Sequence, residues 1–138
     1  MPAKDVFHDV VKKALMKQDW IITDDPLTLR VGGINLYVDL GAEKLITAEK
    51  ESEKIAIEVK SFIGKTYLAE FHQAVGQFIH YRMVLKKEEP KRVLYLAIPA
   101  NVYKDFFMLP FTQDSVQTNQ LKLIIYDTKT EEIMQWLT

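Results

Sequence analysis

The residues best suited to chemistry lie in one strand-like run, Lys54-Ile55-Ala56-Ile57-Glu58-Val59-Lys60. Its alternation puts Ile55, Ile57 and Val59 on one face and Glu58 and Lys60 together on the other. Upstream, Leu36-Tyr37-Val38-Asp39-Leu40 is an apolar run with one carboxylate inside it. A carboxylate among apolar strand residues costs free energy unless something compensates it. A hard divalent cation between Asp39 and Glu58 would do so. Mg²⁺ prefers one or two carboxylates, completed by water and phosphate oxygens, and the Val59 carbonyl adds a further oxygen. Such an ion neutralises charge on a phosphate and yields hydroxide near neutral pH. Lys60, beside Glu58, can orient the attacking water and offset charge on the phosphorane. The set therefore points to phosphodiester hydrolysis with Mg²⁺ or Mn²⁺ as cofactor. The plainer alternative is an exposed strand whose polar face reads Glu-x-Lys, a common triplet.

The elements that must hold these residues follow from periodicity. From Lys4 to Asp19, the residues Phe7, Val10, Val11, Ala14 and Leu15 form one helical stripe. Trp20-Ile21-Ile22-Thr23 is a short strand stopped by Asp24-Asp25-Pro26. Leu29-Arg30-Val31 and Ile34 to Asp39 make a hairpin about Gly32-Gly33, and Gly41 breaks the pattern. Leu45-Ile46-Thr47-Ala48 reads as a short strand or a single turn, and Glu49 to Lys54 as an exposed turn. A long helix runs from about Thr66 to Lys87, with Leu68, Phe71, Val75, Phe78 and Ile79 as its buried stripe. Glu70, Gln73, Gln77 and Tyr81 lie opposite. Val93 to Ile98 is an apolar run fit for a central strand. Asn101 caps a short helix from Val102 to Met108, and Pro110 to Gln120 is a loop or helical turn. Leu121 to Tyr126 and Ile133 to Leu137 close the chain as strands. The result is an α/β (or α+β) domain with a mixed sheet, a single domain over residues 1–138.

Composition sets the broad class. The chain has 138 residues, 48% hydrophobic and 27% charged, enough for one hydrophobic core. It contains no cysteine, which excludes disulfides and thiolate metal sites. No apolar run approaches a membrane span and the N-terminus has no apolar signal core, so a soluble, cytoplasmic protein is expected. The net charge of −1 rules out a global basic footprint for nucleic acid, leaving only a local patch or a metal.

The order of elements and the set Asp39 … Glu58-Val59-Lys60 resemble the restriction-endonuclease-like PD-(D/E)XK core, α-β-β-β-α-β, here with extra C-terminal elements. Gln77-Phe78-Ile79-His80-Tyr81 resembles the Q-x-x-x-Y motif of RecB-like members. Val38 stands where the named motif has Pro. More narrowly, Met1 to His8, Val38-Asp39-Leu40-Gly41-Ala42-Glu43-Lys44, Ile57 to Phe62 and Gln73-Ala74-Val75-Gly76-Gln77 resemble the XisH family. These are the fdxN element excision controlling factors of cyanobacteria, and the resemblance spans essentially the whole chain. It implies a part in programmed excision of a DNA element, beside a site-specific recombinase and a small companion, XisI. It also implies roles for Gln77 and Tyr81 at the metal site. Many superfamily members add an acid from the first helix, which makes Asp5, His8 and Asp9 candidates.

Gln73, Lys65 and Arg82 are the candidates for nucleic-acid contact. Lys86-Lys87-Glu88-Glu89 is balanced by its own acids and reads as a solvated turn, with Lys91 and Arg92 beyond it. Glu43 is a candidate second acid near the site, and His72 a candidate core histidine. Phe106, Phe107 and Phe111 read as core or interface. Binding to DNA would be directed at the backbone or conferred by partners. Two functions follow: a metal-dependent DNA endonuclease, or a non-catalytic accessory that binds DNA or XisI and biases the recombinase. Either leaves room for a homo-oligomer.

Overall fold

The computed structural model describes residues 4–45 and 52–138. The expectations for residues 46–51 lie outside the described residues. The elements are α1 (His8–Lys17), β1 (Ile21–Asp24), β2 (Leu27–Val31), β3 (Ile34–Val38), β4 (Leu40–Leu45), β5 (Ser52–Val59), α2 (Tyr67–Glu88) and β6 (Arg92–Pro99). After them come α3 (Ala100–Val102), which runs on as a π-helical turn (Tyr103–Phe107), then α4 (Pro110–Thr118), β7 (Leu123–Asp127) and β8 (Glu132–Leu137).

One mixed six-stranded sheet has the order β1-β4-β5-β6-β7-β8, and β2-β3 forms a separate hairpin. Strands β5, β6 and β7 are parallel, while β1, β4 and β8 join antiparallel. The apolar run Val93–Ile98 accordingly sits near the middle of the sheet. Among the described residues no helix is long and apolar enough to cross a membrane.

The alternation of β5 divides the molecule. Ile55, Ile57 and Val59 pack with Val11 and Leu15 of α1, on the side that also holds Trp20 and Tyr126. Ala56 packs on the other side with α2, the hairpin and the α3–α4 segment. Side chains such as Phe71, Phe78 and Phe107 are almost fully buried there, each contributing roughly 1.5–3 kcal/mol over exposure. Glu58 and Lys60 share the α2 side, so both are carried toward that helix.

Several expectations need correction. Helix α1 is shorter than Lys4–Asp19. Gly41 does not end a strand but lies within β4. A Cβ there would meet Asp24 Oδ2 at 2.8 Å and Arg92 Nη1 at 3.0 Å, so any larger residue would have to push those side-chain ends aside. Gly32 and Gly33, with φ of +54° and +85°, form the hairpin turn as expected. The inward stripe of α2 is Phe71, Ala74, Phe78, Tyr81, Val84 and Leu85, while Leu68 and Ile79 are exposed. The hairpin and β6 claim a face rotated from the one the apolar pattern suggested, and Tyr81 goes in with it. His72 is exposed, not a core histidine. Asn101 does not cap α3; Pro99 precedes that helix and no side chain caps it.

Candidate active site

Val38 and Leu40 are fully buried, and the bend between β3 and β4 leaves Asp39 between them. Asp39 Oδ2 accepts a hydrogen bond from the Val59 amide at 2.8 Å. In return the Asp39 amide donates to Glu58 Oε1 at 3.3 Å. These exchanges fix the two carboxyl groups side by side at the end of β5. The two carboxyl groups are close enough that the charge of Asp39 raises Glu58. Lys60 Nζ lies 3.9 Å from Glu58 Oε2. Asp39 therefore sits at a bend, not inside a strand, yet lies beside Glu58, with Lys60 at the edge of the pair.

Glu58 is only 5% exposed. Burial and then the Asp39 charge push its carboxyl up to about 8, against the pull of Lys60. Burial likewise raises Asp39, opposed by the Val59 amide. Two like charges this close cannot both ionise cheaply without a cation. Among the described residues no group of three or more His, Cys, Asp or Glu is placed for a metal. The available donors are thus two carboxylates and the backbone of Val59. All are hard oxygens, a set that fits Mg²⁺ or Mn²⁺ with several of its waters kept.

A cavity of about 250 Å³ opens over this pair, lined also by Lys4, Asp5, Tyr37, Gln73, Gln77 and Tyr81. Gln73, Gln77 and Tyr81 come from successive turns of α2, so the helix does border the carboxylates. The Tyr81 phenol is pushed up to about 12 by burial and by the charges of Glu58 and Asp39, with the Gln77 amide opposing. It stays an O–H donor. Gln77 Oε1 is buried with no hydrogen-bond partner among the described residues, an acceptor left for a ligand or its water.

The first-helix candidates separate. Asp5 Oδ1 accepts from the Phe7 amide at 2.9 Å and Oδ2 from the Ser61 amide at 3.0 Å, tying the start of α1 to the end of β5. His8 is buried, its Nε2 2.7 Å from Asp25 Oδ1, while Lys12 holds the other oxygen of Asp25 at 2.7 Å. Asp9 is exposed and lines no part of the cavity. Of the nucleic-acid candidates, Gln73 lines the cavity and Lys65 is exposed just before α2. Arg82 is elsewhere, donating to the carbonyls of Asn119 and Gln120 at 2.7 and 3.1 Å. Arg92 is buried in an ion cluster, not offered to a ligand. Glu43 pairs with Lys54 at 3.6 Å and Glu70 accepts from the Gly64 amide, so neither joins the site.

Sequence reasoning missed Tyr37, Lys4 and Asp25. Tyr37 was recoverable, since it is two residues before Asp39 on an alternating strand. Lys4 and Asp25 carried no signal beyond their place in a helix start and a turn.

The family model described as XisH protein matches residues 1–134. The chain belongs to the XisH family. An XisH family protein from Nostoc punctiforme has a solved structure that is 51% identical, with a TM-score of 0.89, covering 97% of this chain and 100% of that one. A second, described as a fdxN element excision controlling factor protein from Anabaena variabilis, is also 51% identical with a TM-score of 0.89. It covers 98% of this chain and 100% of its own. No curated protein matches the chain.

Proposed function

We propose that the chain acts in the control of fdxN element excision as a metal-dependent DNA endonuclease of the PD-(D/E)XK type. The observation that carries this reading is the buried Asp39–Glu58 pair with Lys60 at its edge. Supporting it are the name of the Anabaena variabilis relative and the order of elements. The reading takes helix α1, the antiparallel strands β1, β4 and β5, helix α2 and parallel β6 as its α-β-β-β-α-β core.

Asp39, Glu58 and the Val59 carbonyl would hold Mg²⁺ or Mn²⁺, which supplies charge neutralisation and an acidified water. Lys60 positions the attacking water and balances charge developing on the phosphorus oxygens. Tyr81, kept protonated, and Gln77 hydrogen-bond phosphate oxygens or ordered water, and Gln73 borders the entering strand. Asp5 locks the Lys60–Ser61 step in place. In the cell this activity serves a site-specific recombinase together with XisI.

A second reading keeps the fold as a non-catalytic scaffold that binds XisI or DNA. It is favoured by the exposed apolar side chains Met108, Leu109 and Phe111 and by the near-neutral net charge. One pair of assays separates the two. Purified protein with Mn²⁺ is tested on supercoiled, branched and single-stranded DNA, and Asp39→Asn is tested for excision in cells. The endonuclease reading expects cleavage by wild type, a loss of about 10³-fold or more in Asp39→Ala and Lys60→Ala, and no excision with Asp39→Asn. Excision that survives Asp39→Asn, with no cleavage under any metal, leaves the scaffold.

A further inference from the structure

Beside the carboxylate cavity lies a second one of about 480 Å³. It occupies the carboxyl ends of the three parallel strands, where open α/β sheets take ligands. Ser61 and Phe62 leave β5 there, Ala100 and Asn101 leave β6, and Asp127 ends β7. The wall between the cavities is a single stretch of chain. Lys60 lines the first and Ser61 the second, while the Asp5 carboxylate lines the first and accepts from the Ser61 amide. A chain that crosses this wall passes from the carboxylates into the second cavity within one residue.

Its lining differs in kind from the first. Phe62 and Tyr67 meet edge to face, ring centroids 6.3 Å apart, and both border the cavity. Phe62 is turned there by a φ of +60°, unusual for a residue with a side chain. The Asn101 carboxamide on the rim is exposed and makes no hydrogen bond among the described residues. Lys4 at the first cavity and Lys129 at the second make no ion pair among the described residues. The half-buried Tyr67 ring, backed by Phe62, with an open amide and lysines along the wall, is the chemistry that holds an unpaired nucleotide: phosphates on the lysines, a base against the Tyr67 ring.

We propose that this second cavity receives an unpaired base of the DNA strand whose phosphate lies at Asp39 and Glu58, so that the substrate is single-stranded or splayed DNA. The inference rests on the endonuclease reading for the first cavity but is tested by binding alone.

The experiment uses the full chain in EDTA, where nothing is cut. The probes are a short single-stranded DNA with a central 2-aminopurine, the same strand abasic at that position, and the matching duplex. The base fluorescence is quenched on binding, and the intact strand binds about tenfold more tightly than the abasic one and than the duplex. Tyr67→Ala and Asn101→Ala each remove most of that advantage and leave the abasic strand's affinity unchanged. Asn101 is exposed, so its variant keeps the test valid should Tyr67→Ala fold poorly. Equal affinity for intact and abasic strands, variants that weaken both alike, or preference for duplex would overturn the proposal. Base-dependent binding retained by a protein that never cleaves would refute the endonuclease reading instead.

Discussion

Strand β5 carries a buried charge cluster at each end, and the two are built on opposite principles. Near its start, Arg92 is 8% exposed but fully answered. Its Nε and Nη2 donate to Glu89 Oε1 at 3.1 Å, Nη1 donates to the Ile55 carbonyl at 2.9 Å, and Asp24 lies 3.9 Å away. At its finish, Glu58 is buried to a similar degree, but its nearest ionisable neighbour is another acid. Lys60, at 3.9 Å, compensates one of two charges. A buried charge surrounded by its counter-charges and hydrogen bonds is architecture. A buried pair of acids with a single lysine beside it leaves one charge uncompensated, which is what raises Glu58. The distinction lies in how each buried charge is compensated, more than in burial itself.

The contrast can be broken at either end. The largest effect is expected from Arg92→Met, which strips the counter-charge from Glu89 and Asp24 and removes a donor to the Ile55 carbonyl. Chemical denaturation should show a loss of about 3 kcal/mol, the low end for a broken buried pair because both acids reach solvent. A neutral result would mean that the cluster contributes no more than a surface pair.

Glu58→Gln should act with the opposite sign. The folded-state value of Glu58, about 8, lies above its ordinary 4.5. Its contribution is therefore complete at low pH and is lost as pH rises toward and through 8. Metal-free wild type should be markedly less stable at pH 9 than at pH 5. Glu58→Gln should flatten that slope and exceed wild type at pH 9 by about 2 kcal/mol. A wild-type stability flat across this window contradicts a raised Glu58 carboxyl. The smallest effect is expected where charge meets water. Glu43→Gln breaks the partly exposed pair with Lys54 and should change stability by less than about 0.5 kcal/mol.

How much of this the sequence discloses depends on the range over which each feature is decided. The alternation of β5 is local, so the shared face of Glu58 and Lys60 could be read directly. Asp39 announced itself as one acid in an apolar run, and Gly32-Gly33 as a turn. The strand β4 was hidden because Gly41 looks like a breaker until Arg92, far along the chain, is seen to pass over it. The face of α2 was misjudged because Leu68 and Ile79 are as apolar as the residues that replaced them. Only the hairpin and β6 decide that Tyr81 turns inward. The His8–Asp25 contact has no local signature at all, since a turn residue and a helix residue become partners only when the sheet closes. Where a side chain's environment was set by strand period, the sequence sufficed; where it was set by packing from a distant element, it did not.

The central claim is that Asp39 and Glu58 form one cation site which is protonated when no metal is bound. Its most direct test is calorimetric titration of wild type and Glu58→Gln with Mn²⁺ near pH 7, repeated in buffers of different ionisation enthalpy. The account predicts one Mn²⁺ per wild-type chain, release of close to one proton as the ion replaces it, and no binding to Glu58→Gln. Absence of Mn²⁺ binding by wild type, or binding that is undiminished in Glu58→Gln and independent of buffer, would contradict it.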